Sequence, residues 1–454
     1  METIIGILLI LSFFFMVWYC VKNYNLMIGF VVMSTFWLAL TFIGHSLDPS
    51  IVMEAPTSTG DMSSKLVDLL TYVYSDGPAN YAKAMLVNVF FGAFFGRVLM
   101  DTGIAATLIR KVVELGGDKP KITMSLLCIV TSVLFMSMTG IGPVISVAVI
   151  VLPILMSLGI PAPVAMFAFM GSIMAGVFSN MVHFAQYIAI FQTFSKEAMS
   201  YTYNDYFTIG IIGTIVSLVV VLTVSMLSLN KKKSYAWAAS AKQATSDDAP
   251  MISWISIVLP VLGLVLFKLP VILCFILSAC YALITTGNLK GTYTQLCRKF
   301  AKLFTDGAID VAPMVGFLLA LSMFNNAATF AKPYFTAVIG GFVPTSALVL
   351  CLVMGVLTPL GFFRGPLNLV GAGAAILSVV IAANPNIPTA FLYPLFAITT
   401  IAPQHLDVTQ SWVAWGFGYT KVSSKDFMTK SIPTGWIVGA ILCAVVYVLY
   451  GNLV

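Results

Sequence analysis

The side chains in this sequence that could do chemistry gather at four breaks in otherwise apolar runs. His405 and Asp407 flank Leu406 within Pro403-Gln404-His405-Leu406-Asp407. Arg364 lies in Thr358-Pro359-Leu360-Gly361-Phe362-Phe363-Arg364-Gly365-Pro366, and His183 follows Ser179-Asn180, with Gln186 one helical turn on. The fourth break, Ser137-Met138-Thr139-Gly140-Ile141-Gly142-Pro143, is uncharged. An imidazole beside a carboxylate can move a proton, and a guanidinium fork can hold a carboxylate through two parallel hydrogen bonds. Each group also has a structural reading. Arg364 could be an interfacial anchor, His405 with Asp407 a pair that steadies a broken helix, and His183 a partner for one freed carbonyl. Covalent or metal chemistry finds no foothold, because the chain has no HExxH motif and no Asp-rich motif. Cys20, Cys128, Cys274, Cys280, Cys297, Cys351 and Cys443 are odd in number and lack ligand spacing, so they read as packing residues. The expectation is no enzyme, no metal and no cofactor.

The elements that must position these groups are membrane helices. Of 454 residues, 59% are hydrophobic and 9% charged, and mean hydropathy is +0.99, against about 25% charged residues in soluble domains. The net charge of +6 sits in short loops and reads as orientation in the membrane, not as nucleic-acid binding. Two Gly and one Pro within Thr139-Gly140-Ile141-Gly142-Pro143 break a helix, and the freed backbone groups are tolerated only inside protein or beside a watery cavity. The runs 122–158 and 346–383, each broken at its centre, therefore read as re-entrant hairpins.

Spans are expected at 4–20, 25–44 and 84–100, with 45–83 as an external loop. The segment 104–115 reads as an interfacial amphipathic helix. An interrupted helix over 164–194 and a span over 207–229 follow. Lys231-Lys232-Lys233 and Lys242 mark a cytoplasmic linker over 231–250. The second half places spans at 252–267, 270–286, 311–324 and 432–450, with an interrupted helix over 388–418. The total is an all-α polytopic fold of about ten transmembrane helices and two hairpins. Gly142-Pro143 and Gly365-Pro366 are offset by the same number of positions as Met100 and Met323, so the chain reads as two repeats, 1–230 and 251–454, of opposite polarity. Arg97 and Asp101 lie four apart on one helical face and are expected to pair.

Inverted repeats with interrupted helices build midplane transport sites. The run Phe91-Gly92-Ala93-Phe94-Phe95-Gly96-Arg97-Val98-Leu99-Met100-Asp101-Thr102-Gly103, the amphipathic helix up to Gly116-Gly117-Asp118-Lys119-Pro120, and the first hairpin resemble the gluconate and citrate symporter branches of the ion transporter superfamily. The resemblance implies a scaffold half and a transport half, a homodimer, and carboxylates moved with protons or sodium. A small organic anion is thus the expected substrate, carried by alternating access in the bacterial cytoplasmic (inner) membrane, with lipid as the other partner. A sodium/proton antiporter is the alternative, and an intramembrane enzyme the least supported class.

Candidate substrate ligands are Ser137, Thr139, Gly140, Gly142, Ser179, Asn180, Arg364, Gly365, Asn368, Gln404 and Thr409, with Ser411 as a further neutral donor. The hairpin helices starting near Gly142-Pro143 and Gly365-Pro366 would aim their N-termini at an anion. His183, His405 and Asp407 are the candidates for coupling to protons or cations.

Overall fold

The computed structural model describes residues 2–22, 24–57, 60–229, 248–371 and 373–454. Lys231 to Lys233, Lys242 and most of the 231–250 linker lie outside the described residues. The first half runs α1 (Glu2–Val21), α2 (Leu26–Leu47), α3 (Leu66–Asp101), α4 (Ile104–Gly116), α5 (Pro120–Phe135), α6 (Ile141–Ser157), α7 (Ala162–Val177), α8 (Met181–Phe194) and α9 (Tyr203–Leu227). The second half runs α10 (Ile255–Phe267), α11 (Val271–Thr285), α12 (Tyr293–Ile339), α13 (Ala347–Leu357), α14 (Gly373–Ala383), α15 (Thr389–Gln404), α16 (Ser411–Thr420) and α17 (Ser424–Tyr450).

Among the described residues, six helices are long and apolar enough to cross a membrane, and the α7–α8 pair, bent by 63°, makes a seventh. Other apolar helices, α5, α6, α11 and α14 among them, run 10–17 residues, short of the ~20 that a straight crossing takes. Large apolar side chains such as Phe14, Val219, Leu352 and Val448 stand exposed on the outer surface, where hydrocarbon and not water suits them. The chain is a multi-pass integral membrane protein.

Two helices overrun their expected limits. α3 starts at Leu66, inside the segment expected as an external loop, and its 36 residues measure about 54 Å at ~1.5 Å per residue. The 311–324 segment is one part of α12, whose 47 residues measure about 70 Å by the same rise. Asp68, Asp76 and Lys83 in α3, and Arg298, Lys299 and Lys302 in α12, interrupt hydropathy but not backbone hydrogen bonding. Around Gly77-Pro78, α3 widens into π-helical turns at Tyr72–Asp76 and Ala82–Leu86, as expected where Pro removes a donor. Asn326 of α12 donates to the Tyr72 carbonyl at 2.8 Å there.

The long helices exchange partners between the halves. α12 packs on α2 and α3, while α3 packs on α11. In the first half α5, α7 and α9 pack together, and in the second half α13, α15 and α17 do the same. Ends that the charge pattern puts on one side are tied together. Lys299 Nζ is 3.6 Å from Asp101, and Arg110 and Lys111 of α4 both pair with Asp248. On the opposite side Thr389 donates its N–H to Glu197 at 3.1 Å.

The expected pairing of Arg97 with Asp101 is not what forms. Arg97 donates from Nε and Nη2 to the two oxygens of Asp310, at 2.5 and 2.6 Å. Asp310 lies on the neighbouring long helix, where its carboxylate meets the fork in parallel geometry, which Asp101 at the α3 terminus does not offer.

Candidate functional site

Each hairpin tip is a built object. At the first, α5 ends at Phe135 and α6 begins after Gly140, whose φ of 96° is open to glycine and strained for other residues. A Cβ at Gly140 would come within 2.9 Å of Val311. Asn180, in the bend between α7 and α8, donates to the carbonyls of Phe135 and Met138 at 2.9 Å each. Its Oδ1 caps α8 by accepting from the N–H of Val182 and of His183 at 2.9 and 3.2 Å. One side chain thus closes both the hairpin break and the helix break.

The second tip uses more residues. A short 3₁₀ segment, Thr358–Arg364, follows α13. Phe363 and Arg364 then take positive φ of 56° and 53° in succession, each costing roughly 1–2 kcal/mol for a residue with a Cβ. The surroundings fix this conformation. The Arg364 N–H donates to Asp407 Oδ2 at 3.3 Å, and Asp407 Oδ1 accepts from the N–H and hydroxyl of Thr409 at 2.9 Å each. Asn368 Nδ2 donates to the Gly361 carbonyl at 3.0 Å, and its Oδ1 accepts from the Val370 N–H at 2.9 Å. Thr399 and Thr400 of α15 bond the backbone of Leu367 and Leu369 at 2.9 and 3.0 Å.

Between the two tips lies a cavity of about 600 Å³, walled by Gly140, Gln186, Asp310, Arg364, Gln404, Thr409, Gln410, Ser411 and Trp412 among others. The Arg364 guanidinium is held 4.7 Å above the Phe317 ring. It donates from Nη2 to Gln410 Oε1 at 2.9 Å and from Nη1 to the Val370 carbonyl at 3.3 Å. Burial leaves Arg364 9% exposed, so its charge meets protein dipoles and an aromatic face, not lipid. Gln404 accepts a 2.5 Å hydrogen bond from the Tyr187 hydroxyl, which joins the two interrupted helices across the cavity wall.

A smaller cavity of about 10 Å³ adjoins the first, sharing Gly140, Met314 and Trp412 with it; Thr139, His183 and His405 complete its polar lining. His405 stacks on Trp412 with ring centroids 4.7 Å apart and planes at 14°.

The candidates from sequence therefore divide. Gly140, Arg364, Gln404 and Thr409 reach the large cavity, and Thr139, His183 and His405 the small one. Ser137 donates to the Ile257 carbonyl at 2.7 Å, and Ser179 bonds Thr214 at 2.7 Å. With Asn180 and Asn368 they spend their polar atoms on the protein itself, because a broken helix leaves carbonyls that need donors. Gly142 abuts the Asp310 carboxylate and Gly365 the Leu360 carbonyl. Asp407 stands behind the cavity as a backbone clamp. Asp310, Gln410 and Trp412 join the wall without having been singled out in the sequence. Asp310 stands one residue ahead of the expected 311–324 span, but its partner Arg97 appears only once the two long helices are packed.

No protein-family model matches the chain, and no curated protein matches it. A solved structure does: the YdaH transporter of Alcanivorax borkumensis, described as having an unusual topology, aligns at a TM-score of 0.64 over 94% of this chain and 99% of that one, with 14% sequence identity. The fold is that of a membrane transporter. At this identity the likeness extends to fold alone, and to neither the substrate nor the gluconate and citrate branches in particular.

Proposed function

We propose that this protein is a secondary active transporter that carries a small organic anion with a carboxylate group, coupled to protons or sodium, by alternating access. The observation that carries the reading is the buried Arg364 fork on the wall of a cavity lined by amides and hydroxyls. A carboxylate can take two charge-assisted hydrogen bonds from such a fork, and Gln186, Gln410 and Ser411 offer neutral partners for hydroxyl groups. Two halves of opposite polarity, each with one hairpin and one interrupted helix, are the architecture that serves this cycle, and the exchanged packing of α3 and α12 supports it. We place the protein in the bacterial cytoplasmic membrane, as a homodimer.

The alternative, a sodium/proton antiporter, draws on Asp310, a buried acid on the cavity wall. Asp310 already faces Arg97 at 2.5 Å and the cavity holds Arg364, both of which disfavour a bound cation. Uptake of radiolabelled mono-, di- and tricarboxylates into proteoliposomes, with pH and sodium gradients imposed separately, tests the choice. Gradient-driven accumulation of any carboxylate supports the symporter. Sodium movement against a proton gradient, with no carboxylate uptake, would replace it by the antiporter.

A further inference from the structure

His183 and His405 reach the small cavity from corresponding places, one just after the break of the first interrupted helix and one at the break of the second. They are 6% and 3% exposed. In each imidazole Nδ1 is buried with no hydrogen-bond partner among the described residues, and the same holds for Trp412 Nε1. Unpartnered buried polar atoms are costly, and three on residues that line one space call for a common partner. The space measures about 10 Å³, close to the ~10–15 Å³ that admits a single water.

We infer that the small cavity is a proton-binding site, in which His183 and His405 hold one proton between them through one water. The proton comes from the aqueous phase and adds to one Nδ1, which donates it in a hydrogen bond to the water. The water donates one hydrogen to the lone pair on the other Nδ1 and can accept from Trp412 Nε1–H with its second lone pair, while its other hydrogen points into the cavity. Either imidazole can be the charged one, and the site gains one positive charge. The groups facing the pair are few. Tyr187 lies 6.1 Å from His183 between ring centroids, Trp412 stacks on His405, and Arg364 and Asp407 stand on the second tip and its adjoining break. Asp310 and its partner Arg97 lie across the larger cavity. Because the two cavities share Gly140, Met314 and Trp412, the added charge lies next to the space proposed for the carboxylate. An anion there favours the proton, and the proton favours the anion to the same degree. This step rests on the proposed anion site.

The test separates the two claims. In purified protein carrying His45→Gln and ¹⁵N-labelled histidine, only His183 and His405 report. Their imidazole nitrogen resonances should move together with a common midpoint between pH 4 and 9. His183→Gln should shift the His405 midpoint by about half a pH unit or more, as coupled titration requires. In proteoliposomes, His183→Gln and His405→Gln should each lose accumulation driven by a pH gradient, and the carboxylate exchange that remains should no longer strengthen as the pH falls. Two independent midpoints, each indifferent to replacement of the other residue, would overturn the shared proton. The same holds for full pH-driven accumulation in a monodisperse double variant. Absence of carboxylate uptake by the parent protein would remove the anion site and leave the resonance result to decide the proton site.

Discussion

Asp310 and Arg97 join the two long helices at the cavity, 213 positions apart in the chain, and the same carboxylate rests against Gly142 in the first turn of α6. A helix N-terminus favours a negative charge. In this structure the charge is supplied from within the protein, by α12.

Gly142→Ala should therefore destabilise the protein, by about 1–3 kcal/mol from forced overlap with the Asp310 carboxylate. In an Asp310→Ala background the same substitution should cost less than half as much. A double-mutant cycle on thermal unfolding in detergent measures the difference, and additive effects would mean that the two residues are not in contact.

Arg364→Lys should weaken anion binding by about 1.5–3 kcal/mol, since a point charge replaces a fork. Arg364→Ala should end saturable uptake in a protein that remains monodisperse. Unchanged affinity in that variant would make this arginine an anchor and place the anion elsewhere.

Asn180→Ala leaves two buried carbonyls and the α8 cap without their partner, for a loss of roughly 2–4 kcal/mol. Asn180→Asp keeps the cap oxygen but sets a carboxylate against the Phe135 and Met138 carbonyls, and should be no better. Melting temperatures of the purified variants provide the check.

Sidedness follows from the charges and the tied ends. In a background without native cysteines, Lys290→Cys and Ser424→Cys should react with an impermeant maleimide only from the cytoplasmic face, and Lys196→Cys only from the other. Labelling of Lys290→Cys and Lys196→Cys from one face would break the opposite-polarity arrangement.

The breaks were legible in sequence because Gly and Pro act locally. Gly140, Asn180 and the run around Arg364 mark their own backbone geometry, and the chain breaks at each of them, while Pro403 stays inside α15 and the break follows Gln404. The cavity wall was only half legible. Arg364, Gln404 and the two histidines are polar residues within apolar runs, but Asp310 and Gln410 acquire meaning from partners across the fold. Nothing near Asp310 in the chain points to Arg97, and the nearer Asp101 offered a helical spacing that the structure does not use. The candidates Ser179, Asn180 and Asn368 look like ligands in sequence for the reason that makes them structural: an interrupted helix needs polar side chains to close itself.

The seams at the two tips also determine what can move. Asn180 binds the first tip to the α7–α8 bend, and Thr399, Thr400 and Asp407 bind the second tip to α15 and the break after it. Sliding either hairpin past its interrupted helix would break several buried hydrogen bonds at once, each worth about 1 kcal/mol or more. In the transport cycle proposed above, each hairpin is therefore expected to travel with its interrupted helix as one piece. On that proposal the joints fall where the chain enters those pieces, at Gly117 before α5 and Gly340-Gly341 before α13.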